Sequence, residues 1–198
     1  MAITAEDVRI LREKTSAGIM DCKKALQETE GNIDKAVEYL RKKGIASAEK
    51  RVGREAKEGI IESYIHPGSR LGVVVEVNCE TDFVAKTDGF KEFAKNIAMQ
   101  IAAAKPLVVK REELSQEIID RELDVYKTQA QNENKPENIA EKIAQGRMDK
   151  FYKEVCLMEQ SFIRDPNVTV EELMKETIGK LGENIRIRRF ARFELGGE

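Results

Sequence analysis

Few residues in this chain have the type and spacing to make or break bonds. Its single histidine, His66, lies in the turn sequence His66-Pro67-Gly68-Ser69-Arg70, where no local spacing supplies the partners a metal site needs. Cys22, Cys79 and Cys156 are odd in number and far apart, which fits neither a disulfide framework nor a paired-cysteine metal site. They read as small buried hydrophobes in a reducing cytoplasm. The sequence has no phosphate-binding glycine loop, dinucleotide-binding turn, zinc-protease helix or serine elbow. One histidine cannot furnish both a base and a metal cluster, and carboxylate pairs in so acidic a chain carry little information. These observations predict a binding protein rather than an enzyme, with no cofactor and no metal.

What stands out instead is Asn78-Cys79-Glu80-Thr81-Asp82-Phe83-Val84-Ala85-Lys86. It follows an apolar strand pattern over 71–77 and precedes a helical pattern over about 88–104, so a polar, acidic turn carrying one aromatic ring sits where a strand hands over to a helix. Side chains at such a junction project from rigid supports. Phe83 is either a contact for a partner or ordinary core.

The elements that must position this turn can be read in order. Residues 1–45 form three short helices. Thr4 with Asp7 resembles a capping box for the first, with Val8, Leu11 and Thr15 near one face. Gly18 breaks it. The second helix turns Cys22, Ala25 and Leu26 inward and ends at Gly31 in a left-handed cap. Asn32 caps the third, whose stripe is Ile33, Ala36, Val37 and Leu40, and Gly44 closes it. In the loop Ser16-Ala17-Gly18-Ile19-Met20, the two bulky residues either close the bundle or form an exposed apolar contact, a role that flexible Met suits. Residues 46–58 read as a solvated helical linker.

Residues 59–198 read as a core domain. A hairpin spans 59–65 and 71–78, with Val73, Val75 and Val77 on one face and Val74, Glu76 and Asn78 on the other. Phe93, Ala94, Ile97, Ala98 and Ile101 form a helical stripe that Pro106 stops. Heptad-like spacing over 112–131 and 137–155, joined by Asn132-Glu133-Asn134-Lys135-Pro136, predicts an antiparallel helical hairpin within 112–157 that either projects as an arm or packs flat on the sheet. Asp165-Pro166-Asn167 is a turn, and Thr169 with Glu172 caps a helix carrying Leu173, Ile178 and Leu181. A final strand, 184–195, has apolar odd positions at Ile185, Ile187, Ala191, Phe193 and Leu195 and polar even ones, except that Arg189 and Phe190 invert the pattern, so a bulge or a change of covering layer is expected there. The fold class is α+β: three helices, a linker, then a small antiparallel sheet of about three strands packed by helices.

Composition narrows the partners. Of 198 residues, 41% are hydrophobic, enough for a core, and 35% are charged with a net charge of −2, which argues against nonspecific nucleic-acid binding. The arginines of the last strand read as a solvated face. No apolar run approaches a membrane span, and residues 1–7 lack the basic and apolar regions of a signal peptide, so a cytoplasmic location is expected.

Two long segments carry a family resemblance. Thr15-Ser16-Ala17-Gly18-Ile19-Met20-Asp21-Cys22-Lys23-Lys24-Ala25-Leu26 and Glu76-Val77-Asn78-Cys79-Glu80-Thr81-Asp82-Phe83-Val84-Ala85 resemble the two signatures of elongation factor Ts. Lys135-Pro136-Glu137-Asn138-Ile139-Ala140-Glu141-Lys142-Ile143, then Gly146-Arg147-Met148, and the ending Gly182-Glu183-Asn184-Ile185-Arg186-Ile187-Arg188-Arg189-Phe190, also fit, so the resemblance runs from end to end. The length resembles the short bacterial form. The resemblance implies a guanine-nucleotide exchange factor for elongation factor Tu. The first three helices would be a ubiquitin-associated-like module contacting the GTPase domain of Tu through Ile19, Met20, Asp21 and Lys23. Thr81, Asp82, Phe83 and Val84 would touch the same domain, with Phe83 as a wedge that disturbs the magnesium and phosphate site. Asp82 would bond at that contact, or cap the short helix that begins there. The resemblance further implies a homodimer, two Ts with two Tu, in which Phe190 and Phe193 are a plausible part of the interface. Some short-form relatives carry a cysteine near that end where this chain has Ala191, so no disulfide is available there. Ile19 replaces the first of a Met-Met pair common in the first signature, a change close in volume. Two other classes are a ribosome- or RNA-associated protein using the arginine strand, and an adaptor for ubiquitin-like partners.

Overall fold

The computed structural model describes residues 3–15, 17–132 and 136–197, so Ser16 of the first loop and Glu133-Asn134-Lys135 of the expected helical link lie outside the described residues. The chain divides into two compact units, one made of 1–60, 78–93 and 172–186 and the other of 61–77, 94–171 and 187–198.

The first unit opens with α1 (Ala5–Thr15), α2 (Ile19–Glu28) and α3 (Ile33–Glu49). The start of α1 is fixed by a reciprocal exchange: Thr4 N–H donates to Asp7 Oδ2 at 2.9 Å and Asp7 N–H donates to Thr4 Oγ1 at 3.1 Å. Leu11, Cys22, Ala25, Leu26 and Ala36 are fully buried, with Ile3, Val8, Ile33, Val37 and Leu40 packed round them. After α2 the chain turns at Gly31, whose φ of 81° suits a residue without Cβ and whose N–H closes on Leu26 C=O at 2.8 Å. Asn32 caps α3 by accepting from Lys35 N–H at 3.0 Å.

Gly44 does not close α3. The helix runs through it to Glu49, and only the first four residues of the expected helical linker at 46–58 are helical. The backbone of Gly44 is met there by another helix, α8 (Val170–Leu181). A Cβ built on Gly179 would stand 2.9 Å from Gly44 Cα and 3.0 Å from its carbonyl oxygen. Two backbones meet there with no side chain between them. Arg41 of α3 flanks this contact, reaching Glu176 of α8 at 2.5 Å. On α8, Ile178 is buried as its spacing predicts. Leu173 and Leu181 are half-buried, and Met174 and Thr177 take the inward positions beside Ile178.

The second unit holds most of a three-stranded antiparallel sheet in the order β1 (Glu58–Ile65), β2 (Leu71–Cys79), β5 (Ile185–Glu194). Val73, Val75 and Val77 of β2 are fully buried, whereas Val74 on the opposite face is exposed. The alternation expected of the strand holds over Val73–Val77 and lapses after it, where Asn78, predicted on the face of Val74, and Cys79 are both buried. Along β5 the inward parity changes as the sequence suggests: Ile185 and Ile187 are buried, then the half-buried positions are Phe190 and Arg192. Of α5 (Asp88–Ala104), Ala94, Ile97, Ala98 and Ile101 lie in this unit and are buried. Helices α6 (Gln116–Asn132) and α7 (Glu137–Val155) pack on each other, burying Ala130, Ala140, Ala144 and Met148. The first of them starts later than its heptad pattern suggests, because a 3-10 turn at Arg111–Glu113 precedes it and Ser115 caps it, its Oγ accepting from Ile118 N–H at 3.4 Å.

Asp165-Pro166-Asn167 is not a turn. It opens β4 (Asp165–Thr169), which pairs antiparallel with β3 (Ser161–Phe162) about a tip at Ile163 and Arg164. Proline is admissible because each strand of a two-stranded ribbon is an edge. Buried Gln100 holds this ribbon, accepting from Ile163 N–H at 2.9 Å and donating to Ser161 C=O at 3.2 Å.

The backbone contact between α3 and α8 makes its two glycines unequal. Gly179→Ala should lower unfolding stability by roughly 1–3 kcal/mol, because the added carbon meets backbone that cannot rotate away. Gly44→Ala, whose Cβ meets nothing within 4 Å, should raise it by about 0.5–1 kcal/mol through helix propensity. Urea denaturation of both variants checks this, and equal effects would contradict the contact.

Candidate functional site

The central turn sits on α4 (Asp82–Ala85), a single helical turn between β2 and α5. Its cap is Thr81 rather than Asp82: Thr81 has extended backbone and its Oγ1 accepts from Val84 N–H at 3.4 Å. Asp82 begins the helix and bonds Lys86 at 2.6 Å. The Lys86 ammonium holds the Asp82 carboxyl below the usual carboxylate range, and the Lys86 pKa is raised in return. At the end of the turn Thr87 Oγ1 donates to Val84 C=O at 2.7 Å and accepts from Phe90 N–H at 3.3 Å, so the same hydroxyl closes α4 and helps open α5.

Phe83 is 79% exposed. That exposure removes the reading of Phe83 as core. The neighbours that root the turn are Ala85, which is buried, and Thr81, Asp82 and Val84, which are half-buried. A large apolar ring held in water on a capped turn makes Phe83 a candidate contact residue.

Sequence reasoning missed the residues that hold Thr81. Thr81 N–H donates to Glu183 Oε2 at 3.0 Å and its hydroxyl donates to Glu183 Oε1 at 2.7 Å. In return Asn184 N–H donates to Glu80 Oε1 at 2.6 Å, and Asn184 Nδ2 donates to Arg54 C=O at 2.7 Å. Arg54 lies 3.7 Å from Glu80. These residues are about a hundred positions apart, and no local spacing announces them.

The second predicted cluster lies at the start of α2. Ile19 is 56% and Met20 75% exposed, so neither closes the bundle. Lys23 is exposed on the same helix, and Asp21 bonds Lys43 of α3 at 2.6 Å, which raises the Lys43 pKa. Asp21 and Lys43 also line a cavity of about 370 Å³ in the first unit. The residues 81–84 and the residues 19–23 both belong to that unit.

Phe190 and Phe193 are on β5 in the second unit. Phe190 is half-buried and Phe193 is 69% exposed. Ile61, Ile65 and Val74 are exposed on the same sheet, with Ile65 lying across Gly72, whose built Cβ would be 3.0 Å from Ile65 Cδ1. Of the strand's arginines, Arg189 bonds Glu76 and Arg192 bonds Glu194, each at 2.7 Å. His66 is an exposed turn residue whose Nδ1 is 3.1 Å from Tyr64 Oη. Among the described residues no cluster of three or more His, Cys, Asp or Glu could hold a metal ion, and no helix is long and apolar enough to cross a membrane.

All three cysteines are free and buried. Cys79, two residues before the cap, donates to Thr81 C=O at 3.1 Å. Burial pushes the Cys79 and Cys156 thiols up to about 11. The folded state therefore keeps these protons to higher pH than the unfolded chain does. Their contribution to stability is whole below the ordinary thiol pKa of about 8.5 and is lost as pH rises through about 11.

Comparison with known proteins gives a consistent answer. The family model described as elongation factor TS matches residues 5–197. An elongation factor Ts of Carboxydothermus hydrogenoformans is 60% identical over 194 residues, covering 98% of this chain and 89% of the relative. One from Thermoanaerobacter sp. is 58% identical, covering 98% and 95%. One from Geobacter sulfurreducens is 57% identical over 196 residues, covering 99% and 91%.

The thiol burial is open to direct test. A thiol reagent at pH 8 should find no reactive cysteine in the folded protein and all three in urea, and the urea midpoint should fall as pH rises from about 8.5 towards 11. Rapid labelling of Cys79 in the folded protein would contradict its burial.

Proposed function

The chain belongs to the elongation factor Ts family, and from that premise we propose that it is a guanine-nucleotide exchange factor for elongation factor Tu, acting by binding rather than by bond chemistry. The observation that carries the reading is Phe83: a ring 79% exposed, on a turn fixed at both ends by hydrogen bonds. Such a ring enters an apolar pocket of a partner without first leaving a core of its own. In Tu it would act as a wedge, shifting the elements that hold the magnesium ion and the nucleotide phosphates. Magnesium bridging is a large part of nucleotide affinity, so disturbing it speeds GDP release. Thr81, Asp82 and Val84 complete the contact, and the exposed Ile19 and Met20, with Asp21 and Lys23, supply a second one to the same GTPase domain.

The energetics are those of linkage. Whatever factor Ts takes from GDP affinity, GDP takes from Ts affinity, and abundant GTP then displaces Ts. No residue of this chain need touch nucleotide or magnesium. The pairing of Arg189 with Glu76 and of Arg192 with Glu194 lowers the positive charge of β5 and favours this reading over one built on RNA.

We further propose that two copies pair, giving two Ts with two Tu. Phe193 with Ile61, Ile65 and Val74 offers an apolar sheet face of the kind a second copy covers. The cysteines are all buried, so the pair is held without a disulfide.

Titrating the protein against Tu loaded with a fluorescent GDP analogue, with unlabelled GDP in excess, should accelerate release in proportion to dose. Phe83→Ala should cost about thirtyfold or more, the scale of truncating an interface aromatic, while its far-UV circular dichroism stays unchanged. Wild-type exchange by that variant would refute the wedge. Phe193→Asp should weaken self-association by a similar factor in sedimentation equilibrium, and a wild-type protein that sediments as a monomer at micromolar concentrations would refute the pairing.

A further inference from the structure

The turn that carries Phe83 cannot hold itself in place. A four-residue helix makes almost no internal hydrogen bonds and is far below the length at which a helix is stable alone. Exposure of the ring means that Phe83 adds no burial to anchor it. We infer that Glu183 is a positioning residue for the Phe83 contact: its carboxylate, fixed at the exit of α8, sets the orientation of Thr81 and through it the turn 82–85.

The chemistry of one hydroxyl carries the inference. Thr81 Oγ1 donates its proton to Glu183 Oε1 at 2.7 Å, and this leaves its lone pairs for Val84 N–H at 3.4 Å. Glu183 Oε2 takes the Thr81 backbone N–H at 3.0 Å. One carboxylate therefore fixes both the backbone and the rotamer of the cap, with two hydrogen bonds strengthened by charge. The fold brings these residues together because β5 lies beside β2 in antiparallel order, so the end of one strand meets the start of the other. Gly182, with φ of 80°, turns the chain out of α8 immediately before Glu183, its N–H bonded to Ile178 C=O at 2.9 Å. The return bond from Asn184 N–H to Glu80 Oε1, at 2.6 Å, makes the attachment two-sided. Asn184 is itself 7% exposed and tied to Arg54 C=O, so the Glu183 side of the clamp does not drift.

The inference rests on the exchange reading for its functional consequence but not for its structural one, and the two are tested separately. Hydrogen exchange followed by mass spectrometry should show Glu183→Ala raising deuterium uptake in the peptide covering 79–87 while α1 to α3 keep wild-type protection. Unchanged uptake there overturns the proposal whatever happens to activity. In GDP release from Tu, Glu183→Ala should slow exchange by about tenfold, equivalent to roughly 1.4 kcal/mol, the order of a charge-assisted hydrogen bond lost. Glu183→Gln, which keeps an acceptor for Thr81 N–H, should recover part of the loss. The deciding comparison is the double variant Phe83→Ala/Glu183→Ala, in which the Glu183 change should slow exchange by clearly less than the tenfold it costs alone, because Glu183 acts chiefly through the turn that carries the ring. Full additivity overturns the proposal, since a general loss of structure would slow both backgrounds equally. Should Glu183→Ala fail to fold, Thr81→Val keeps the N–H bond and removes only the hydroxyl, and the same local uptake and the same non-additivity are expected of it. A wild-type protein that leaves GDP release unchanged would remove the exchange reading, and the uptake at 79–87 would still decide the clamp.

Discussion

A single helical turn leaves nearly all its backbone groups for others to satisfy, and α4 is such a turn. Everything around it supplies what it lacks. Thr81 caps its start, Thr87 closes its end and Ala85 roots it below the surface. Glu183 and Asn184 arrive from a distant part of the chain to fix the cap. An exposed ring gains nothing from the free protein, and the roughly 2 kcal/mol that burying a phenylalanine releases stays available for a partner. Preorganisation is what makes that reserve useful, because a ring already in place spends little of it on ordering.

The legible part of this structure is the part written in local spacing. Thr4 and Asp7 are three residues apart and cap each other, as their types and separation require. Val73, Val75 and Val77 alternate with Val74, and alternation alone assigns their faces. Phe83 could be recognised as a ring in a polar run, though its role as contact or core depended on exposure. Glu183 could not be found in this way: it meets Thr81 across 102 positions, and an acid after a helix-ending glycine looks like any other surface carboxylate. Gly44 shows the opposite failure. Glycine weakens a helix, so it reads as a stop, yet helix α3 continues through Gly44 to Glu49, and it is Gly179 of α8 whose missing Cβ lets the two backbones meet. In β4, proline and two turn-forming neighbours outweigh a strand signal that only pairing with β3 supplies.

Charge on this chain is abundant and largely self-contained. Arg41 is engaged by Glu176, Arg189 by Glu76 and Arg192 by Glu194. Pairs that keep at least one partner in contact with water add little to stability singly. Their effect is to leave β5 with less positive field than its arginine count suggests, which suits a surface that meets protein rather than phosphate backbone. The exposed apolar side chains of Ile19, Met20, Phe83 and Phe193 are then conspicuous against a polar, balanced background.

The meeting of Gly44 and Gly179 has a consequence for how this sequence can drift. Where side chains interlock, a bulky change on one helix can be answered by a smaller residue on its neighbour. Here both helices already carry the smallest residue, and the atoms that face the missing Cβ of Gly179 are backbone. No smaller residue opposite can make room at that crossing, so a side chain at position 179 is accommodated only by sliding one helix against the other, and the glycine sets the distance between them.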